Sequence, residues 1–484
     1  MSNTTNQNLP SKWYTKISVE ISISLYMLAF MLTTVFEQAF FVHKACISNH
    51  GFSQNICDHL YDKKFENYSH VVQVTVSNYL QWDSLATNII PMILVLFLGS
   101  WSDKYGRKFP LILGLCGKFF YSFMIIINAL QPTWPLKYVI YTAVLPMALT
   151  GADAAIFSSA YSYLTDITTK KNRTFRISVL DGCYLSTMPI GIAIGRYLFT
   201  NVLGKSYAKL FSINAALLAI SIIYSVLVLK CCTTENQTRF QLNLNSICEF
   251  FNKKHAVAAF KCFTKRKGRV WLLPFMIIVM CYRFQRDERN YIYLFFMRKL
   301  DWDYNDFSYF LAFRSTLHVF MLLYGVPFII RNFKWRDSIL IIIGVFSVVI
   351  SRFIFMFVET DLLFYIGTLF GSFGPCVAPV IRSMISKLIT ANERGLVFSL
   401  ISVADNSVPL YSGIIYSQTY NYTFEWFPGA FFLITIASQL IIFGITLAIE
   451  LTVPKDKFIY QEPIEKNNTA DVKPTENIKL LEPA

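Results

Sequence analysis

The stretch Gly99-Ser-Trp-Ser-Asp103-Lys104-Tyr-Gly106-Arg107-Lys108 joins two apolar runs, Ile89–Leu98 before it and Leu111–Leu130 after it. No other feature limits the fold so strongly. A run of about 20 apolar residues is what a helix needs to cross a bilayer. A helix inside lipid satisfies its own backbone polar groups, so a short polar turn between two such runs reads as a hairpin of membrane spans. The turn's residues suit that place. Gly99 and Gly106 permit close backbone approach and a sharp bend. Asp103 can accept hydrogen bonds from a helix N-terminus or an arginine. Lys104, Arg107 and Lys108 hold the turn on the cytoplasmic face.

The remainder repeats this pattern. Of 484 residues, 54% are hydrophobic and 15% charged. Soluble domains are nearer 45–50% apolar and about 25% charged, so the chain is an all-α polytopic membrane protein. Its net charge of +14 falls mainly in every second connection. Basic cytoplasmic loops explain that charge, with no nucleic acid as partner. Cys116, Cys183, Cys281 and Cys376 lie in apolar runs, and Cys231 and Cys232 close a span. Cys46 and Cys57 share the one long outer loop, where they could be oxidised to a disulfide. No spacing of Cys and His suggests a metal, no cofactor motif is present, and no phosphate-binding loop marks a pump. Met1–Lys16 is polar and Asn-rich, unlike a cleavable signal peptide.

Taken in order, the spans run about 17–40, 77–100, 110–130, 136–164, 177–200 and 207–230, then 270–296, 306–330, 339–358, 362–389, 396–418 and 427–449. These are twelve transmembrane helices in two six-helix halves, 17–230 and 270–452. A basic linker, 231–269, joins them. The N-terminus, 1–16, and the polar tail, 453–484, are both expected in the cytoplasm. A substrate site belongs at mid-membrane between such halves. Asn67, in the sequon Asn67-Tyr-Ser69, falls on the outer loop and is the expected glycosylation site.

An ionisable side chain inside a span costs at least about 2.5–3.5 kcal/mol on insertion scales. Asp153 in span 4 and Arg382 in span 10 have no compensating neighbour in their own spans, so each needs a partner from elsewhere. Asp181 lies in span 5, Arg314 and His318 in span 8, Asp405 in span 11. Asp287 and Glu288 sit with Arg283, Arg286 and Arg289 near the middle of span 7, as a self-neutralising set or a helix break. Gly191–Gly195 and Gly367–Gly371 are small-residue packing patterns. Gly374-Pro375 and Pro379 interrupt span 10 shortly before Arg382.

The opening turn matches G-x-x-x-D-[RK]-x-G-R-[RK], a pattern of the major facilitator superfamily, where it joins helices 2 and 3 on the cytoplasmic side. Three further stretches resemble the proton-coupled folate transporter and thymic stromal cotransporter family, solute carrier family 46. They are Thr165-Asp-Ile-Thr through Arg-Thr-Phe-Arg176 to Asp181, Val380-Ile-Arg382 to Leu388, and Glu20 to Ala29. The resemblance implies a twelve-helix secondary transporter, not an enzyme, that imports a bulky organic anion with protons by alternating access. It implies substrate contact at Asp153, proton coupling at Asp181 and both roles at Arg382. Gating falls to Gly99, Asp103, Gly106 and Arg107. Two features depart from the folate branch. Span 7 lacks a histidine, and the 7–8 connection lacks the cysteine that would pair with the first loop, which leaves a Cys46–Cys57 bridge as the replacement. A non-transporting receptor or scaffold with this fold, and a facilitator of neutral solutes, are the rival readings. In the tail, Glu476 with Leu480-Leu481 resembles an acidic dileucine sorting signal for an adaptor, so the destination is the plasma membrane or the endolysosome.

Overall fold

The computed structural model describes residues 18–168, 170–233, 237, 272–333, 335–388 and 404–452. Regular structure among them is entirely helical. Eight helices are long and apolar enough to cross a membrane. The linker beyond 237, the tail with its Glu476, Leu480 and Leu481, and the first part of span 11 lie outside the described residues.

In the first half the main helices are α1 (Val19–Lys44), α2 (Glu66–Tyr105), α3 (Lys108–Leu130), α4 (Ala152–Ile167), α5 (Lys170–Tyr197) and α6 (Tyr207–Val228). In the second they are α7 (Leu272–Asp287), α8 (Arg289–Lys299), α9 (Tyr304–Phe320), α10 (Asp337–Met356), α11 (Asp361–Phe370), α12 (Val377–Leu388), α13 (Pro409–Thr423) and α14 (Phe431–Thr452). Helix α1 packs on α5 and α6, and α3 on α6 and α4. Glycine makes the first contact possible: a Cβ on Gly195 would lie 2.1 Å from the Leu32 carbonyl oxygen. Helix α10 packs on α14 and on the tight turn Gly371–Cys376. Two seams join the halves, α2 with α13 and α5 with α9.

Several boundaries differ from the sequence reading. Helix α2 starts at Glu66 rather than near Ser77, so Asn67 stands exposed in its first turn and not in a loop. The first turns of α2 bury polar as well as apolar side chains, Ser69 and Gln73 beside Val72 and Val76, while Tyr68 and Val71 face outward. That mixture hid the apolar stripe of a helix and read as loop. Span 4 is broken before Asp153, where Gly151 takes φ +81° and Ala152 φ +42°. Span 7 breaks at Glu288, between α7 and α8. Span 10 passes through a 3-10 turn at Gly371–Cys376, which contains Pro375.

The core has three parts. One cluster takes residues from both halves, among them Phe36, Tyr79, Phe296, Tyr416 and Tyr420. It lies at the end that carries Cys46 and Cys57, which are disulfide-bonded with Cα atoms 5.7 Å apart. Toward the Gly99–Lys108 turn the core divides. Val19, Leu111, Ile156 and Leu180 form a cluster of the first half alone. Phe275, Leu340, Val377 and Ile449 form a cluster of the second. The halves are therefore joined at one end and parted at the other.

Candidate functional site: a charged cavity between the halves

Where the joined end gives way to the parted end, a cavity of about 250 Å³ lies between the halves. A larger apolar groove of about 510 Å³, lined by Phe346, Ile350, Leu369 and Phe370, offers no charged group.

The first-half wall is built from α1, α2, α3 and α4. Asp153, in the first turn of α4, lines the cavity and accepts a hydrogen bond from the Tyr26 hydroxyl. Its partner is Lys118 on α3, whose Nζ lies 2.9 Å from Oδ1 and 3.0 Å from Oδ2. Of the partner from another span, ligand or shifted pKa that Asp153 was expected to need, the structure supplies a lysine on α3 that the sequence reading passed over. Glu37 on α1 accepts from the Tyr121 hydroxyl, and Asp83 on α2 faces the same space. Both acids were missed too. Each was visible as a charge inside an apolar run, the only signal the sequence offers for them.

The opposite wall is arginine-rich. Arg283 is paired with Asp287, Nε to Oδ1 3.1 Å, one helical turn along α7. Ser412 donates to Asp287 at 2.5 Å. Asp405 lies 3.9 Å from Arg283 and 3.8 Å from Arg286. Arg289 lines the cavity without an ion pair to any described residue.

Other candidates fall elsewhere. Glu288 turns away from the cavity and is held by Arg352 of α10, with contacts of 2.7 and 3.0 Å. Their side chains are 0% and 4% exposed, and Thr435 also donates to Glu288. Arg352 was not anticipated. It turns Glu288 from a candidate for transport into a buried strut between helices. Arg314 and His318 are half-buried on α9 and do not line the cavity. Arg382, read from the sequence as deep in an apolar run, is exposed on α12 and does not line the cavity. It is within electrostatic reach of Tyr161 and Tyr282. Asp181 accepts from the Tyr161 hydroxyl at 2.5 Å. Tyr161 thus holds Asp181, apart from the pair Asp153–Lys118.

At the opening turn Gly106 has φ +90°, and a Cβ there would lie 2.2 Å from the Cys231 carbonyl oxygen. Arg107 donates to Ser102 at 2.5 Å and pairs with Asp166, Nε to Oδ2 3.3 Å. Thr233 also donates to Asp166, at 3.0 Å. Asp166 belongs to the Thr165–Asp181 stretch, but its role was not foreseen. Gly99 lies within the last turns of α2. The side chain of Asp103 lies outside the described set. No cluster of His, Cys, Asp and Glu among the described residues has the makings of a metal site.

The sequence profile of the Major Facilitator Superfamily matches residues 77–412. The chain belongs to that superfamily. Its curated relatives include members of solute carrier family 46. The chain is 24% identical to the probable peptidoglycan muropeptide transporter SLC46 of Drosophila melanogaster, over 92% of this chain and 89% of that one. It is 25% identical to the lysosomal proton-coupled steroid conjugate and bile acid symporter SLC46A3 of Pongo abelii, over 83% and 85%. A crystal structure of the peptide transporter POT in complex with sulfate superposes with a TM-score of 0.64, at 10% identity, over 92% and 96%. The superfamily is one of membrane transporters, and with it the chain is a multi-pass membrane transporter, not an enzyme.

Proposed function

We propose that the chain is a twelve-span secondary transporter with both termini in the cytoplasm. It imports a bulky organic anion together with protons by alternating access. The observation that carries this reading is the cavity itself. It lies between the halves, and Arg286 and Arg289 stand exposed on one wall with, among the described residues, only Asp405 near the first. An anion that bridges the two arginines gains charge-assisted hydrogen bonds. Asp153, already held by Lys118 and Tyr26, contacts the polar groups of the same molecule.

Arg382, exposed where the halves part, attracts the anion at the cytoplasmic mouth, and Asp181 beside Tyr161 serves proton release there. Asp103 and the Arg107–Asp166 pair steady the cytoplasmic ends of α2 and α4 through the cycle. The muropeptide, steroid-conjugate and bile-acid chemistry of the relatives supports a large anionic cargo. The lysosomal relative and the dileucine-like tail favour an acidic endolysosomal membrane over the plasma membrane.

The test is uptake by purified protein in vesicles, with a taurine-conjugated bile acid and a muropeptide as probes. Uptake should rise as the outer pH falls and collapse when the proton gradient is dissipated. Arg289→Ala should cut uptake at least about tenfold, the loss expected for one charge-assisted hydrogen bond of about 1.5–3 kcal/mol, with the protein still monodisperse. A receptor or scaffold predicts no flux of either probe under any gradient. A facilitator of neutral solutes predicts flux that ignores both pH and Arg289.

A further inference from the structure

The charges on the cavity wall can be counted. The acids are Glu37, Asp83, Asp153 and Asp287, and the bases are Lys118, Arg283, Arg286 and Arg289. Asp153 pairs with Lys118 and Asp287 with Arg283. Glu37 and Asp83 then remain on the first-half wall, facing Arg286 and Arg289 on the second. A bound anion satisfies the arginines and leaves the two carboxyl groups with only Lys118, which Asp153 already holds, as a neighbouring cation. Both carboxyl groups line the same cavity. Two carboxylates sharing one confined site do not both ionise easily. One proton taken up by them for each negative charge delivered leaves the cavity's total charge unchanged.

The position of Asp83 ties this pair to the joined end. The next residue, Ser84, donates across the seam to the Pro409 carbonyl oxygen at 2.9 Å. The same face of α2 continues the contact. Gln418 donates to Gln81 at 3.1 Å, and Ser77 and Ser417 are joined at 3.0 Å. These hydrogen bonds join neutral groups. At the outer end of the same two helices His70 on α2 lies 3.9 Å from Glu425, just past α13, so the measurement below is made with His70→Gln in the parent and in every variant. The groups around the pair are Lys118 and Tyr121 on α3, Asp153 on α4, Tyr79 on α2, Arg289 and Tyr291 on α8, and the α7 charges Arg283, Arg286 and Asp287. Among the acids in this group, Asp153 and Asp287 already have a cation at salt-bridge distance.

We propose that Glu37 and Asp83 together bind the coupling proton inside the cavity, and that this proton closes the seam between α2 and α13. The proposal rests on the proton-coupled reading above and adds the site at which the proton is held. Closing the seam removes water from the pair, and a neutral carboxyl tolerates that loss better than a carboxylate. Proton binding and closure therefore favour one another by linkage. An acid outer medium loads the proton and shuts the outer end behind the cargo. Release on the cytoplasmic side lets the outer end reopen.

A double electron–electron resonance measurement tests this without any substrate, so its failure is separate from failure of the uptake assay. Spin labels go on Val71→Cys and Tyr422→Cys, exposed positions near the outer ends of α2 and α13, with the unbridged cysteines replaced. Between about pH 8 and about pH 5 the short-distance population should grow at the expense of the long one. Glu37→Gln with Asp83→Asn should hold the short distance at both pH values. Asp83→Glu, which keeps the carboxyl, should restore the response. An unresponsive parent protein would overturn the proposal. So would a double variant with the parent's pH profile.

Discussion

At the scale of single residues, the charges inside the spans sort by what they touch. Glu288 and Arg352 are fully enclosed and paired, and are there to hold α7, α8 and α10 together. Removing one partner of a buried pair strands the other charge and costs about 3–5 kcal/mol. Arg352→Ala should therefore lower the melting temperature of the purified protein sharply. Arg352→Met with Glu288→Leu should recover most of the loss, because two apolar groups leave no stranded charge. A melting curve for the double variant no better than for the single one would mean that the pair does more than neutralise itself. The sequence showed the acids of span 7 but not their fates. Glu288 and Asp287 are adjacent, yet a turn of about 100° separates them on a helix, and one faces the cavity while the other faces Arg352. Which is which depends on the helix's rotation, and the mixed charges of this span leave that rotation unspecified. Asp153 was recognisable because it stands alone, whereas nothing in the sequence sets Lys118 apart from a side chain that snorkels out of an apolar helix.

At the scale of helices, legibility followed apolarity. Helices α3, α6 and α10 lie within two or three residues of their sequence-read positions, since a nearly uninterrupted apolar run has one way to be read. Helices α2 and α5 are too polar to be among the eight that length and composition alone would assign to a membrane, and the described parts of α7 and α13, 16 and 15 residues, are too short. Helices α2 and α13 meet across the halves, as α5 does with α9. The α2–α13 seam supplies a prediction. Ser77→Cys with Ser417→Cys should form a disulfide across it under mild oxidation, since the two hydroxyl oxygens lie 3.0 Å apart. Uptake should stop on oxidation and return on reduction. Continued uptake by the cross-linked protein would show that the seam does not open in the cycle.

For the whole molecule, the all-helical transporter fold was legible from the repeated spans and the basic turns. The cavity's own lining was not, because it is assembled from α1, α2, α3, α4, α7 and α8, which are far apart in sequence. The orientation in the membrane carries a prediction of its own. Asn67 is exposed at the start of α2, at the end of the molecule that holds the disulfide. It should carry N-linked sugar, and Asn67→Gln should migrate faster than the parent until both are deglycosylated. A glycan on Asn236 instead would invert the topology.

The divided core has a thermal consequence. Phe36 and Phe199 of the first half meet Tyr304 of the second, with ring centroids 5.8 and 5.3 Å apart, inside the one cluster that both halves share. Under the alternating access proposed above, facing the other way would part this aromatic cluster and let water in, and apolar surface brought into contact with water raises the heat capacity. The climb to that opened state is then partly a melting of core, so its height depends on temperature in a curved rather than a linear way. The carrier's turnover is tied to the physics that sets its stability, and an organism that changes temperature retunes both with the same few rings.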